Sequence, residues 1–348
     1  ALLLVVGTVE TRWSFMLAVG LFGVVTDMYR PAASAMFGDL VPVSRRPHAF
    51  ALMYISINLG FAIAPPIGGI LAEISFDLLF WGDALTMCAY GAIIYLFIPE
   101  SIPGASKESD WNESNDAANV PFRLACARMA SDRTFLVLCL ASLLLATVFM
   151  QSMSTLPIYM RQNGLSHFQF GMLMSVTGIM IFVLQLPLTH WLRRFDPMRV
   201  VTVGGLLIAA GFGLCAIPGG IWFLAFTIVV WTFGEILEAP FKHAIVTDLA
   251  PTEMRARYLG MYSTCYSLAV MVGAPLGGYV LRTYGGTVLW TGAFVIAIGA
   301  VGLYLVIRNA VAHRIKSLVE SESRREELPS QPEPAKSESR ELAGAIST

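Results

Sequence analysis

The sequence predicts an all-α integral membrane protein that is built from two pseudo-symmetric helical halves. Hydrophobic residues make up 56% of the chain and charged residues only 14%, whereas a soluble domain carries about 25% charged residues. Apolar runs of about 20 residues, the length that crosses a bilayer, follow one another along the chain. One segment also occurs twice, and an internal duplication in an apolar chain is typical of transporters.

The duplicated segment comprises residues 39–81 and 248–290, which align without a gap at an offset of 209. Nine of the 43 aligned positions are identical, where composition alone would give about three. The identical pairs are Asp39 and Asp248, Leu40 and Leu249, Pro42 and Pro251, Arg46 and Arg255, Leu59 and Leu268, Pro66 and Pro275, Gly68 and Gly277, Gly69 and Gly278, and Trp81 and Trp290. The two halves therefore repeat one architecture.

The apolar runs predict nine membrane spans. After a short apolar stub at 1–9, which would be the end of a further span, they are expected near 14–38, 49–72, 79–98, 134–158, 167–190, 200–218, 220–247, 257–281 and 287–308. Residue 134 opens the second half, so the offset of 209 places its counterpart 75 residues before residue 1. We therefore expect a chain that lacks roughly its first two and a half spans.

The domain organisation follows from these spans. Residues 1–98 are predicted to be the remainder of the N-terminal half, spans three to six. Residues 99–133 are predicted to be a cytoplasmic central loop, and 134–308 the C-terminal half of six spans. The polar residues 309–348 cannot bury a core, so we expect a disordered cytoplasmic tail.

Lysine and arginine predict the orientation in the membrane. Basic residues cluster in alternate loops, around Arg45, Arg123, Arg193 and Arg255, and are sparse in the loops between. Because such residues favour the cytoplasmic side, the sequence predicts a multi-pass protein of the plasma membrane with its C-terminus in the cytoplasm. A helix near 121–131 is expected to lie at the membrane surface.

Four charged residues fall inside predicted spans, in corresponding helices of the two halves. Asp27 and Arg30 precede Asp39 by 12 and 9 residues, which places them about 18 and 14 Å deep. Glu235 and Glu238 lie at matching depths in the second half. A charge at mid-membrane costs at least about 2.5–3.5 kcal/mol, so these residues are candidates for function, here proton coupling.

Three of these residues also have a purely structural interpretation. Asp27 and Arg30 are three residues apart, and Glu238 and Lys242 are four apart, so each pair can form a static ion pair. Glu235 has no residue of opposite charge three or four positions away on its own helix. It is the best candidate for a carboxyl group that exchanges a proton, with Arg30 as its expected counter-charge and a static interhelical hydrogen bond as the alternative.

Composition speaks against several other functions. The net charge of −1 gives no signature of nucleic-acid binding. The five cysteines show no paired spacing, and the five histidines are scattered, so neither a disulfide framework nor a metal site is predicted. No cofactor motif and no constellation for enzyme catalysis is visible.

Three motifs resemble the twelve-span drug:proton antiporter branch of the major facilitator superfamily. The first is Gly60-x-x-x-Ala64-Pro65-x-x-Gly68-Gly69, which resembles the antiporter motif GxxxGPxxGG and departs from it at Ala64. The second is Arg30-Pro31, followed by Asp39 and Arg45-Arg46; the third is Gly234-Glu235 with Pro240, Asp248 and Arg255. The resemblance implies two six-helix halves, of which this chain would contain spans three, in part, to twelve.

The resemblance also implies roles for two sets of residues. A cytoplasmic gate would comprise Asp39, Arg46, Asp248 and Arg255, for which helix capping and membrane anchoring are the alternative. A helix interface that bends and seals would comprise Gly60, Pro65, Gly68, Gly69, Pro275, Gly277 and Gly278, for which tight packing alone is the alternative.

The sequence therefore predicts a secondary transporter that exports small lipophilic or amphipathic compounds in exchange for protons, by alternating access. Gln151, in a span rich in methionine, is expected to contact the substrate. The expected partners are a small-molecule substrate, protons and the lipid bilayer, and we expect a monomer. A symporter or facilitator for a sugar, organic acid or peptide remains an alternative, and a scaffold or receptor that does not transport is another.

Overall fold

The computed structural model describes the backbone at residues 46–97, 121–251 and 254–327, with isolated positions between 11 and 21. Side chains are described at 56–97, 123–251 and 257–314, with a few flanking positions. The predicted span at 14–38, with Asp27 and Arg30, and the gate residue Asp39 lie outside these ranges. The gate residues Arg46 and Arg255 are described by their backbone alone.

Within the described ranges the chain is helical and forms ten α-helices. They are α1 (Arg46–Ile74), α2 (Phe76–Phe97), α3 (Phe122–Ser131), α4 (Arg133–Phe149), α5 (Gln151–Ser154), α6 (Leu156–Gln162), α7 (His167–Leu192), α8 (Pro197–Leu214), α9 (Ile221–Leu249) and α10 (Arg255–Glu327). Seven described segments are long and apolar enough to cross a bilayer.

The last of these segments contains two spans rather than one. Arg257–Arg314 covers 58 residues, about 87 Å of helix at 1.5 Å per residue and more than twice the thickness of a bilayer core. Gly285 divides this segment, because its backbone is not helical there. Its φ of 83° is a conformation that glycine adopts readily and that residues with a side chain rarely adopt. The two arms, 255–284 and 286–327, contain the two spans predicted at 257–281 and 287–308.

The predicted span at 134–158 consists of three successive helices instead of one. The helix α4 ends at Phe149, α5 covers Gln151–Ser154, and α6 begins at Leu156. Pro157 stands at the start of α6 and has no N–H to donate to the preceding turn. This explains why the sequence pattern of one long span does not give one regular helix.

The helices of the second half pack around one apolar core. A row of aromatic rings runs through this core. The ring centres of Trp290 and Phe212 lie 6.1 Å apart, and those of Phe212 and Trp231 lie 5.4 Å apart. Glycines bring α8 and α9 into backbone contact, since a Cβ on Gly204 would lie 2.8 Å from the carbonyl oxygen of Gly234. The core therefore places the middle of α9 at the centre of this half.

The central loop contains a helix where one was expected, near 121–131. Ala125 and Met129, one turn apart on α3, are buried in the core, whereas Arg123 and Arg128 are exposed. The helix therefore packs one small apolar stripe against the bundle and directs its basic residues outward. Its predicted position at the membrane surface stays a prediction.

The predicted disordered tail begins too early. The helix α10 continues through Glu327, Val311 is fully buried, and Arg314 forms an ion pair with Asp132. Residues 309–314 therefore belong to the folded half, because an apolar position and a paired arginine hold them there. Residues 328–348 lie outside the described ranges.

Candidate functional site

A buried cluster of charged and phenolic side chains lies in the middle of α9. Glu238 is 4% exposed, and its Oε1 lies 2.5 Å from the Nζ of Lys242 one turn along the helix. The hydroxyl of Tyr304, on the second arm of α10, donates a 2.9 Å hydrogen bond to the same oxygen. Lys242 also lies 5.8 Å from the ring centre of Tyr262. The static ion pair of Glu238 with Lys242, which the sequence left as an alternative interpretation, is thus present in the structure.

Glu235 lies one turn before Glu238 on the same face of α9, and its carboxyl group is less well satisfied. Its Oε2 atom is buried and has no hydrogen-bond partner among the described residues. An unpaired buried carboxylate oxygen is costly, so the site favours the arrival of a proton or another positive group. Arg30, the expected counter-charge, lies outside the described residues.

Contacts with α7 fix the position of α9 at this depth. The hydroxyl groups of Thr177 and Thr232 lie 3.2 Å apart, and the amide nitrogen of Gln185 donates a 3.1 Å hydrogen bond to the carbonyl oxygen of Ile236. All four of these residues flank the cluster along α9 and α7. These hydrogen bonds join α9 to α7 on a face next to the charged cluster.

The glycine motif of α1 forms a close interface with α7. A Cβ on Gly69 would lie 2.7 Å from the carbonyl oxygen of His167. The proline pair of α1 contacts Gly171, where a Cβ would meet the carbonyl oxygen of Pro65. Among the described residues, nothing lies within 4 Å of such an atom at Gly60, and only the side chain of Leu79 does at Gly68. Part of the predicted motif is thus a helix interface between the two halves.

The residues of α7 that complete this interface, Gly171, Ser175 and Gly178, were not predicted. A Cβ on Gly178 would lie 2.6 Å from the backbone nitrogen of Ala62, and the hydroxyl of Ser175 donates a 2.5 Å hydrogen bond to the carbonyl oxygen of Ala62. Gly171 and Gly178 are seven residues apart, two turns on one helix face. This spacing is the signal in the sequence that could have indicated the two glycines.

Gln151 packs between helices in this structure, and its predicted contact with the substrate stays a prediction. It is 4% exposed, and its amide nitrogen donates hydrogen bonds of 2.9 Å to the carbonyl oxygens of Thr147 and Gly273. Its amide oxygen accepts a hydrogen bond from Thr155. The side chain fills the space that the glycine at 277 leaves open. Its hydrogen bond to Gly273 joins α5 to α10.

The second-half copy of the glycine motif therefore serves packing within that half. Gly277 contacts Gln151, and two turns of α10 around Pro275 remain helical. Nothing among the described residues lies within 4 Å of a Cβ at Gly278. The two copies of the motif thus have different neighbours in this structure.

An ion-pair network that the sequence analysis missed lies at the end of the bundle predicted to be cytoplasmic. Asp132 caps α4 by accepting a hydrogen bond from the backbone of Phe135, and its Oδ2 lies 2.7 Å from the guanidinium of Arg314. Tyr258 donates a hydrogen bond to the same oxygen, and Arg314 reaches the carbonyl oxygen of Leu249. Asp132 and Arg314 together thus join the ends of four spans. An aspartate directly before an apolar run is the signal that could have indicated it.

A second aspartate repeats this arrangement at the same end. Asp196 caps α8 and lies 3.4 Å from Arg308 and 3.5 Å from Arg199. Of the predicted gate residues, Asp248 lies exposed in the last turn of α9, and Arg255 begins α10. Their role as a gate stays a prediction.

These features define the chain as a helical membrane transporter, and comparison with known proteins identifies its family. The family model of the Major Facilitator Superfamily matches residues 1–240 and 138–343. The chain therefore belongs to the Major Facilitator Superfamily, whose members are transporters and not enzymes.

Relatives in bacteria are distant in sequence. The chain is 24% identical over 310 residues to a Na(+), Li(+), K(+)/H(+) antiporter of Planococcus maritimus, covering 83% of this chain and 72% of the relative. It is 24% identical over 277 residues to the multidrug resistance protein MdtH of Escherichia coli (strain SE11), covering 78% of this chain and 64% of the relative. The chain thus spans about two thirds of the length of such relatives.

Solved structures share the predicted fold. A POT family transporter in complex with 5-aminolevulinic acid superposes with a TM-score of 0.72 at 16% identity, covering 89% of this chain and 79% of that one. A bacterial homologue of the human lysosomal transporter Spinster, in an inward-facing conformation, gives a TM-score of 0.61 at 14% identity, covering 92% of this chain and 81% of that one. At these identities the similarity concerns the fold alone.

Proposed function

We propose that the protein exports small lipophilic or amphipathic compounds in exchange for protons, by alternating access. The observation that carries the proposal is the carboxyl group of Glu235, whose buried Oε2 has no partner among the described residues. Glu235 lies in the middle of α9, one turn from a carboxylate that is already neutralised. A carboxyl group of this kind gains most from binding a proton.

The physical basis of coupling is that Glu235 prefers different surroundings in its two charge states. Burial favours the neutral form of any carboxyl group, and water or a nearby cation favours the ionised form. When the halves move and expose one face of α9 and then the other, the same group takes up a proton on one side and releases it on the other. Arg30 and Asp27 are the proposed partners of this exchange from the first half.

Two relatives support the direction and the class of substrate. One is a Na(+), Li(+), K(+)/H(+) antiporter and the other a multidrug resistance protein. The first supports exchange for protons, and the second supports drug-like compounds as substrates. The similarity to the POT structure rests on fold alone and does not favour peptides as substrates.

The remaining elements of the proposal concern the membrane and the gate. The protein would act as a monomer in the plasma membrane, with its C-terminus in the cytoplasm. Asp248 and Arg255, with Asp39 and Arg46 from the first half, would close the cytoplasmic side. The contact of α1 with α7, which involves Gly69, would serve as a hinge and seal between the halves.

Proton release tests the proposal directly. The complete protein, purified in detergent and weakly buffered, is mixed with tetraphenylphosphonium or ethidium while the pH is recorded. We expect each compound to displace protons from the wild type and not from Glu235→Gln. The exposed Asp77→Asn, which makes the same chemical change at the start of α2, serves as the matched control and should behave as wild type.

Two results would contradict the proposal. Release that is as large in Glu235→Gln as in the wild type would move the proton to another group. An absence of release with every compound tested would reject proton antiport and favour a carrier without proton exchange.

A further inference from the structure

The charges of the cluster on α9 do not balance. Glu235 and Glu238 contribute two carboxyl groups, and Lys242 contributes one ammonium. The other titratable groups that face them are the phenols of Tyr262 and Tyr304 on α10, which are neutral at neutral pH. Within the described residues, one negative charge therefore remains without a counter-charge.

Two further titratable groups stand nearby and do not pair with either carboxylate. His243 directs its ring to Tyr262, with ring centres 5.0 Å apart. Cys139 of α4 is buried in the same apolar core as Tyr262. The ion pair within the cluster, among the described residues, is the one between Glu238 and Lys242.

Lys242 fills the position that a mobile cation would otherwise take at Glu238. Its ammonium contacts Glu238 Oε1 at 2.5 Å, and both side chains are almost completely buried, with 10% and 5% exposure. Tyr304 completes the coordination of this oxygen. As long as the ammonium stays there, Glu238 has no need of a proton, because a buried carboxylate needs one positive partner.

We propose that Lys242 is an internal cation that closes a second exchange site at Glu238 and so limits the carrier to one proton per cycle. The latent site, formed by Glu238 and Tyr304, would take a proton or a monovalent cation once the ammonium is removed. The inference rests on the proposed function, since it assumes that Glu235 is the group that exchanges.

The inference gives a simple rule for the number of exchangeable protons. Because an uncompensated charge is costly in the membrane interior, the cluster binds as many protons as it has carboxyl groups beyond its ammonium. The wild type has one such group. Removal of Lys242 leaves two, and removal of Glu235 leaves none.

Four variants test the rule by the number of protons released per molecule. Release is measured on the complete purified protein after addition of tetraphenylphosphonium, and in a second arm after addition of NaCl. We expect Lys242→Met to double the release and Glu235→Gln to abolish it. The double variant Glu235→Gln/Lys242→Met should regain the wild-type value, with the proton now at Glu238. Glu238→Gln/Lys242→Met should also give the wild-type value, with the proton at Glu235.

The double variants keep the test decisive if Lys242→Met does not fold, because each has the same cluster charge as the wild type. The NaCl arm distinguishes a metal cation from an organic one as the competing species. If the wild type releases no proton with either probe, the proposed function fails and the inference with it. If the wild type releases protons but Glu235→Gln/Lys242→Met remains as inactive as Glu235→Gln, the inference is wrong and the proposed function stands.

Discussion

Glu235 and Glu238 stand one helical turn apart and differ in what neutralises them. Glu238 has an ammonium and a phenol in contact with one oxygen, whereas Glu235 has a buried oxygen without a described partner. The same residue type therefore serves two purposes at one depth. Lys242 makes the difference, because four residues separate it from Glu238 and seven from Glu235.

Asp132 is expected to contribute to stability more than an exposed acid does. It accepts hydrogen bonds from Arg314, Tyr258 and the backbone of Phe135. Asp132→Asn removes the charge from this network, and bonds to charged groups are worth about 1.5–3 kcal/mol each. We expect a clearly lower melting temperature in a thermal-shift measurement, whereas Asp77→Asn should melt as the wild type. Equal melting of the two variants would contradict this assignment.

Gln151 offers a test between a packing role and a substrate contact. Gln151→Leu removes the hydrogen bonds to Gly273 and Thr155, at a cost of about 1–3 kcal/mol for the partners left unsatisfied. We expect a lower melting temperature and an unchanged affinity for tetraphenylphosphonium in the folded fraction, measured by calorimetry. A large loss of affinity with unchanged stability would restore the original prediction of a substrate contact.

At the scale of helices, the contact of α1 with α7 joins the two halves. Glycines on both helices allow the backbones to meet, at Gly69 on one side and at Gly171 and Gly178 on the other. Small residues permit such approach in membranes because no hydrophobic force between helices replaces close packing. The contact is therefore sensitive to a single added side chain.

Gly178→Val is expected to disrupt this contact, and Gly60→Val is its matched control. A Cβ at Gly178 would lie 2.6 Å from the backbone of Ala62, whereas no atom of the part of the chain that the structure describes would lie within 4 Å of a Cβ at Gly60. Overpacking of this kind costs about 1–3 kcal/mol. We expect Gly178→Val to lose melting temperature and transport, and Gly60→Val to keep both. If both variants lose melting temperature and transport to the same extent, the effect comes from valine in a helix and not from the contact of α1 with α7.

At the scale of the whole molecule, composition and the length of apolar runs were enough to predict the fold. Each described helix of membrane length overlaps a predicted span, because the bilayer sets both the length and the polarity of such segments. The pairing of Glu238 with Lys242 was also accessible, since helix geometry alone brings residues four apart together. Features that depend on a single helix could therefore be predicted from the sequence.

Contacts between helices could not be predicted from one sequence. Tyr304 lies 66 residues from Glu238, and Arg314 lies 182 from Asp132, so no local spacing indicates either pair. Gln151 was assigned to the cavity for its residue type alone, and nothing in the local sequence indicated its hydrogen bond to Gly273. The end of the last helix was misjudged because the polar composition after residue 308 concealed the buried Val311.

Transport driven by a pH gradient tests the central claim most directly. The complete protein is reconstituted into liposomes with an acidic interior, and the uptake of labelled tetraphenylphosphonium is followed over time. We expect the gradient to drive accumulation by the wild type and by Asp77→Asn, and Glu235→Gln to show no gradient-driven accumulation. Accumulation by Glu235→Gln equal to that of the wild type would contradict the claim that Glu235 couples this carrier to protons.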